Sequence, residues 1–176
     1  RAEIIWEKGT NRSLFFKGMV DKYTWVDIGS SYLPSELVSA YLFSQIEQID
    51  KINKLRMAAW NYYYKLFTKN LEEGLYKIPF IPKDCIHNAH MFYIILRNQS
   101  ERDQLIDKMK KNNINPVFHY IPLHSSPAGK QYGRKGSSMI NSNNISKQIL
   151  RLPLYPHIGK RKIKLIHSKV IGFLKE

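Results

Sequence analysis

The stretch NPVFHYIPLH, residues 115–124, sets two histidines five positions apart with a tyrosine between them. Imidazoles so placed could ligate a metal, exchange protons or line a pocket. A metal would need a third ligand, and neither His119 nor His124 belongs to a Cys/His grouping of recognisable zinc spacing. Pro122 also breaks any helical pairing of the two rings. No metal is expected. Two readings stay open: a strand-end histidine bonded to backbone, or a pocket wall formed by His119, Tyr120 and His124.

A second candidate is GSSYLPSEL, residues 29–37, with a glycine and two hydroxyls ahead of a helix start. Unpaired amides and the helix dipole favour an anion there. Gly29, Ser30 and Ser31 read either as a phosphate cradle or, with Ser35, as simple helix capping. Cys85 stands alone, so no internal disulfide forms, and a reducing, cytoplasmic setting fits. It follows IPKD in a loop and makes a poor nucleophile. His87 and His90 read as local packing, and WNYYY (60–64) as core or domain-interface packing rather than base stacking. No Gly-rich phosphate loop, G-x-S-x-G elbow or Ser/His/Asp set is present.

The elements that must position these groups form an α/β pattern. Residues 1–33 lack a sustained period and read as a long structured loop after a short helical end. From Pro34, apolar residues at Val38, Leu42, Ile46, Ile49, Ile52, Leu55, Ala59, Tyr62 and Leu66 predict one helix over 34–68. YKIPFIP (76–82) is extended, HMFYIIL (90–96) and NPVFHYI (115–121) are strands, and Ser100 caps a helix bearing Leu105, Ile106 and Met109. Residues 125–144 form a Gly/Ser/Asn-rich loop, followed by a short helix and extended RLPLYP. A last helix starts near Lys160 with Ile163, Ile166, Val170 and Phe173 on one face. Roughly three strands with helices between them predict a small sheet covered on one face.

The net charge of +14 invites a nucleic-acid reading. Lys outnumbers Arg 20 to 8 and the bases are dispersed, which fits a phosphate-bearing ligand or solubility equally well. No apolar run approaches the roughly 20 residues of a membrane span. The opening RAEIIWEKGTNR has neither an initiator Met nor a signal-peptide pattern, and the chain is expected to begin within a longer protein.

Four stretches resemble the DegT/DnrJ/EryC1/StrS family of sugar-nucleotide aminotransferases: residues 7–37, NAHMFYI (88–94), VFHYIPLHSSPAG (117–129) and RLPLYP (151–156). The resemblance runs essentially end to end, and its first stretch is the most specific. It implies the C-terminal part of the aspartate-aminotransferase fold. Residues 1–33 would end the large cofactor domain, 34–68 would be a long connecting helix, and 69–176 a small α/β domain with a short, mainly antiparallel sheet. It implies pyridoxal phosphate as cofactor, a nucleotide-sugar substrate, an amino-acid donor, usually glutamate, and a homodimer with shared active sites. The nearest subgroup aminates the C4 ketone of dTDP-4-oxo-6-deoxy-D-glucose for cell-surface polysaccharide.

The Schiff-base lysine lies upstream in the family, so no catalytic residue is expected in this chain, which alone should be inactive. Many relatives carry Asn-x-Arg before the helix; here Ser31-Tyr32-Leu33 stands there, keeping a donor at Ser31 and losing the arginine. The resemblance thus implies cofactor-phosphate contact by Gly29, Ser30 and Ser31. Substrate contact falls to His119, Tyr120, His124, Asn11 and Arg12. The rival classes are a basic nucleic-acid-binding module and a cofactor-free scaffold.

Overall fold

A computed structural model describes residues 1–176, which divide into two compact units, Arg1–Ile49 and Asp50–Glu176. In the first unit α1 (Ala2–Trp6) and α2 (Arg12–Phe16) are single short turns of helix. Isolated bridges Glu7↔Ser31 and Thr10↔Trp25 tie the loop to its own start. The unit closes with α3 (Glu36–Ile46), capped by Ser35, whose hydroxyl accepts from the Val38 amide. Gly9 is the one buried residue among 1–49.

The single helix expected over 34–68 is two. α3 ends at a turn over Glu47–Gln48, where the Gln48 amide tightens onto the Gln45 carbonyl, and α4 (Ile49–Thr68) begins anew. The apolar stripe runs unbroken through QIEQID, and no glycine or proline marks the break.

The second unit holds the core. After α4 come β1 (Phe92–Ile95), α5 (Gln99–Lys111), β2 (Val117–Phe118), α6 (Pro127–Tyr132), α7 (Ile140–Gln148), β3 (Ile149–Leu152) and α8 (Gly159–Lys175). The sheet is antiparallel in the order β1-β3-β2, with Phe92 opposite Leu152 and Val117 opposite Arg151. Phe92 and Ile94 of β1 and Leu150 and Leu152 of β3 pack against Trp60, Tyr63 and Phe67 of α4 and the apolar faces of α5 and α8. Aromatic contacts knit the cluster: Tyr63 stacks on Phe92 at 5.0 Å, and Phe67 meets Tyr76 edge-on at 5.3 Å. Burying such side chains contributes about 1.5–3 kcal/mol each, so the second unit holds its shape by its own packing.

Three local readings are corrected. Asn98, not Ser100, caps α5: its side chain accepts from the Glu101 amide at 2.9 Å, while a Glu101 oxygen accepts from the Arg97 amide at 2.9 Å. The strand expected over 115–121 shrinks to Val117–Phe118, because Pro116 and Pro122 offer no N–H to a ladder. The 76–82 stretch is extended, as expected, and makes one bridge, Lys77↔Ile95. The loop expected over 125–144 holds α6 and the start of α7. On α8 the apolar face is as expected, except that Leu174 is buried where Phe173 is only partly so.

Candidate functional site

The expected site residues fall into two groups, one in each compact unit. Gly29, Ser30, Ser31, Asn11 and Arg12 lie in Arg1–Ile49; His119, Tyr120 and His124 lie in Asp50–Glu176.

In the first unit the chain crosses itself at residue 29. The Ser30 amide donates to the Ile5 carbonyl, and the Lys8 amide to the Ser30 carbonyl. A Cβ at position 29 would lie 2.2 Å from the Gly9 nitrogen and 2.5 Å from the Ile5 oxygen, so Gly29 is glycine for its own chain's close approach. A cavity of about 470 Å³ is lined by Ser31, Lys8, Arg12 and Glu7; Gly29 and Ser30 stand outside it. Ser31 is exposed. Arg12 lies 3.7 Å from the Glu7 carboxylate, with its guanidinium 5.1 Å from the Phe16 ring centre. The Asn11 side-chain oxygen accepts from the Thr24 amide at 2.7 Å and so staples the loop. Ser31 does not adjoin the helix, which starts at Glu36 with Ser35 as its cap.

In the second unit β2 delivers the 119–124 segment between its prolines. Two cavities, of about 730 and 760 Å³, meet along this segment, and both His119 and Tyr120 line each of them. The His119 ring stands edge-on to Tyr120 at 5.4 Å, and its Nδ1 is buried without a hydrogen-bond partner. Burial lowers the His119 pKa below 6.5, and the nearby Arg151 and His90 charges push the same way. The ring is therefore neutral at pH 7. Arg151 holds its guanidinium 5.6 Å from the Tyr120 ring centre. His124 sits with Nε2 2.8 Å from the Asn143 side-chain oxygen, which pins the segment to α7. No three His, Cys, Asp or Glu side chains gather as a metal site.

Of the residues that line the first of these cavities, only Ile149, buried at the start of β3, belongs to the hydrophobic core. Arg134 and Lys135 also line it, as does Met139, held at φ 54°. These three were missed by reading 125–144 as an undifferentiated loop, although GRKG (133–136) shows a basic pair between glycines. A second signal was available. Lys108–Lys175 contains fourteen Lys and Arg and not one Asp or Glu.

Residues 5–171 match the DegT/DnrJ/EryC1/StrS aminotransferase family. GDP-perosamine synthase of Escherichia coli O157:H7 is 26% identical over 173 residues, covering 94% of this chain and 44% of that protein. The dTDP-3-amino-3,4,6-trideoxy-alpha-D-glucose transaminase of Streptomyces venezuelae is 24% identical over 146 residues, covering 81% of this chain and 36% of that protein. The aminotransferase TlmJ from Streptoalloteichus hindustanus superposes with a TM-score of 0.80 at 16% identity, over 99% of this chain and 44% of that one, which shows the shared fold. The chain spans about two fifths of the length of the curated relatives it matches.

Proposed function

We propose, from the premise that this chain belongs to the DegT/DnrJ/EryC1/StrS aminotransferase family, that the whole protein is a pyridoxal-phosphate-dependent transaminase of nucleotide sugars. The observation that carries the reading is the family match running from residue 5 to residue 171. The finer assignment is transfer of an amino group from glutamate to the C4 ketone of dTDP-4-oxo-6-deoxy-D-glucose, in the cytoplasm, by a homodimer with shared active sites. The product would feed cell-surface polysaccharide such as enterobacterial common antigen. No helix is long and apolar enough to cross a membrane.

The residues present fit part of the cofactor. Ser31 is exposed beside Lys8 and Arg12 around one cavity that Glu7 and Glu36 also line; Arg12 lies against Glu7, so the Ser31 hydroxyl and Lys8 are the groups left for a phosphate. Gly29 is accounted for by chain packing, and Ser30 lends its backbone to the same crossing. Pyridoxal phosphate, when bound, supplies the electron sink that lets an amino group leave an amino acid and join a ketone. This chain's part is binding. Ser31 would donate a hydrogen bond to a phosphate oxygen, and Lys8 and Arg12, the latter beside Glu7, would balance its charge. Asn11 spends its side-chain oxygen on Thr24 and has only its amide N–H groups left for a ligand. The neutral His119 ring and the Tyr120 hydroxyl face the sugar, and His124 fixes the wall they stand on.

The test is the absorbance of the whole protein, titrated with glutamate and then with the keto sugar nucleotide. A cofactor band bleached by glutamate and restored by dTDP-4-oxo-6-deoxy-D-glucose supports the reading; absence of any cofactor band overturns it. Residues 1–176 by themselves are expected to give no turnover in the same assay.

A further inference from the structure

We propose that Arg134 and Lys135 hold the diphosphate of a nucleoside diphosphate sugar in the cavity of about 730 Å³ behind His119 and Tyr120. The inference rests on the transaminase reading for its substrate class and adds the residues that recognise the substrate's anionic end.

The volume lies within the range of small-molecule pockets, roughly 300–1,000 Å³. Its charge is one-sided. Both cations are exposed, neither pairs with a carboxylate, and the acid-free run from Lys108 to Lys175 supplies the whole cavity wall. A cation whose field no neighbouring carboxylate cancels keeps its attraction for a ligand anion. The next acidic residues in sequence, Asp107 and Glu176, stand outside the lining.

A solvated basic pair would explain the charge but not what lies beside it. Ile121, Leu123 and Ile145 line the same cavity while 69%, 83% and 43% exposed. Apolar side chains left open to water beside two free cations suit a ligand that is itself divided, a planar base or deoxysugar next to phosphates. His119 and Tyr120 give the third element: both line the same cavity, and an imidazole and a phenol hydroxyl there can exchange hydrogen bonds with sugar hydroxyls. Met139, which lines the same cavity, keeps a left-handed backbone that glycine would adopt more readily.

The test uses the whole protein and three variants, Arg134→Ala, Lys135→Ala and, as a charge-matched control on α8, Lys160→Ala. Thymidine diphosphate is titrated directly, with no cofactor or donor needed, and KM for the nucleotide sugar is measured where turnover is present. Loss of one charged hydrogen bond corresponds to about a tenfold weakening or more. Arg134→Ala and Lys135→Ala are each expected to weaken thymidine diphosphate about tenfold and raise KM in step, with Lys160→Ala at wild-type values. Equal weakening in all three, wild-type affinity in the first two, or no binding by the unmutated protein overturns the proposal. Failure of the unmutated protein to respond to glutamate would sink the transaminase reading instead, and the thymidine diphosphate titration would still decide this one.

Discussion

A side chain at position 29 would have to displace the Gly9 nitrogen and the Ile5 carbonyl, whereas the Ser31 hydroxyl two residues on is free in a charged cavity. Gly29 is fixed by packing, and Ser31 is left available to a ligand. Gly29→Ala should destabilise Arg1–Ile49 by about 1–3 kcal/mol, seen as faster limited proteolysis of that unit. Ser31→Ala should leave proteolysis unchanged and weaken cofactor retention about tenfold, read by dialysis of the whole protein. A glycine required by close approach looks in sequence like a glycine required by a ligand, so GSS by itself leaves the phosphate cradle and simple structural readings open. His119, Tyr120 and His124 were legible because aromatic and imidazole groups between prolines must end a strand at a surface. His167 was silent. Its ring packs edge-on to Phe67 at 4.8 Å with Nε2 buried and unpartnered, and burial, with Lys69 nearby, lowers its pKa below 6.5. The unfolded chain then takes the proton first, so this contribution to stability is full above about pH 6.5 and is lost as pH falls below it. Thermal midpoints should drop on acidification, and His167→Leu should make that drop shallower.

Elements were legible where burial enforced a period and illegible where local hydrogen bonds set the boundary. α5 and α8 appear with their apolar faces as expected, since Leu105, Met109, Ile163 and Val170 must reach one core. The start of α5 lies two residues before the expected cap: Asn98 has an extended backbone (φ −157°, ψ 175°) and accepts from the Glu101 amide, a geometry that sequence spacing alone does not separate from Ser100. Asn98→Ala should cost about 1 kcal/mol in urea unfolding, and Ser100→Ala far less. α6 had a readable start, with Ser126 accepting from the Gly129 amide and Pro127 in the first turn, but the glycines and serines after it masked the signal. The turn at Glu47–Gln48 had no readable signal, because an apolar stripe passes through it unchanged.

Across the whole molecule charge and greasiness are divided unequally. Arg1–Ile49 has five basic and six acidic residues, Asp50–Glu176 twenty-three and eight, so the entire positive excess belongs to the second unit. The first unit instead exposes apolar surface: no residue of α3 is buried, and Leu37 is 84% and Phe43 63% exposed. Val38, Tyr41, Leu42 and Ile46 are also more than half exposed, and this much open apolar side chain on one helix suits an interaction face. Residues 1–176 alone should bind a fluorescent apolar-surface dye and self-associate in sedimentation, and Leu37→Lys with Phe43→Lys should suppress both. A dye-silent monomer would show that α3 is covered in some other way. Charge asymmetry of this kind was present in the sequence but invisible without the boundary between the units. The separation between the core cluster and the cavity wall has a historical consequence. Leu123 and Arg134 are exposed on the cavity wall, so a lineage could change the ligand here at little cost to folding, while a change at Phe92, Tyr63 or Leu150 would unpack the core.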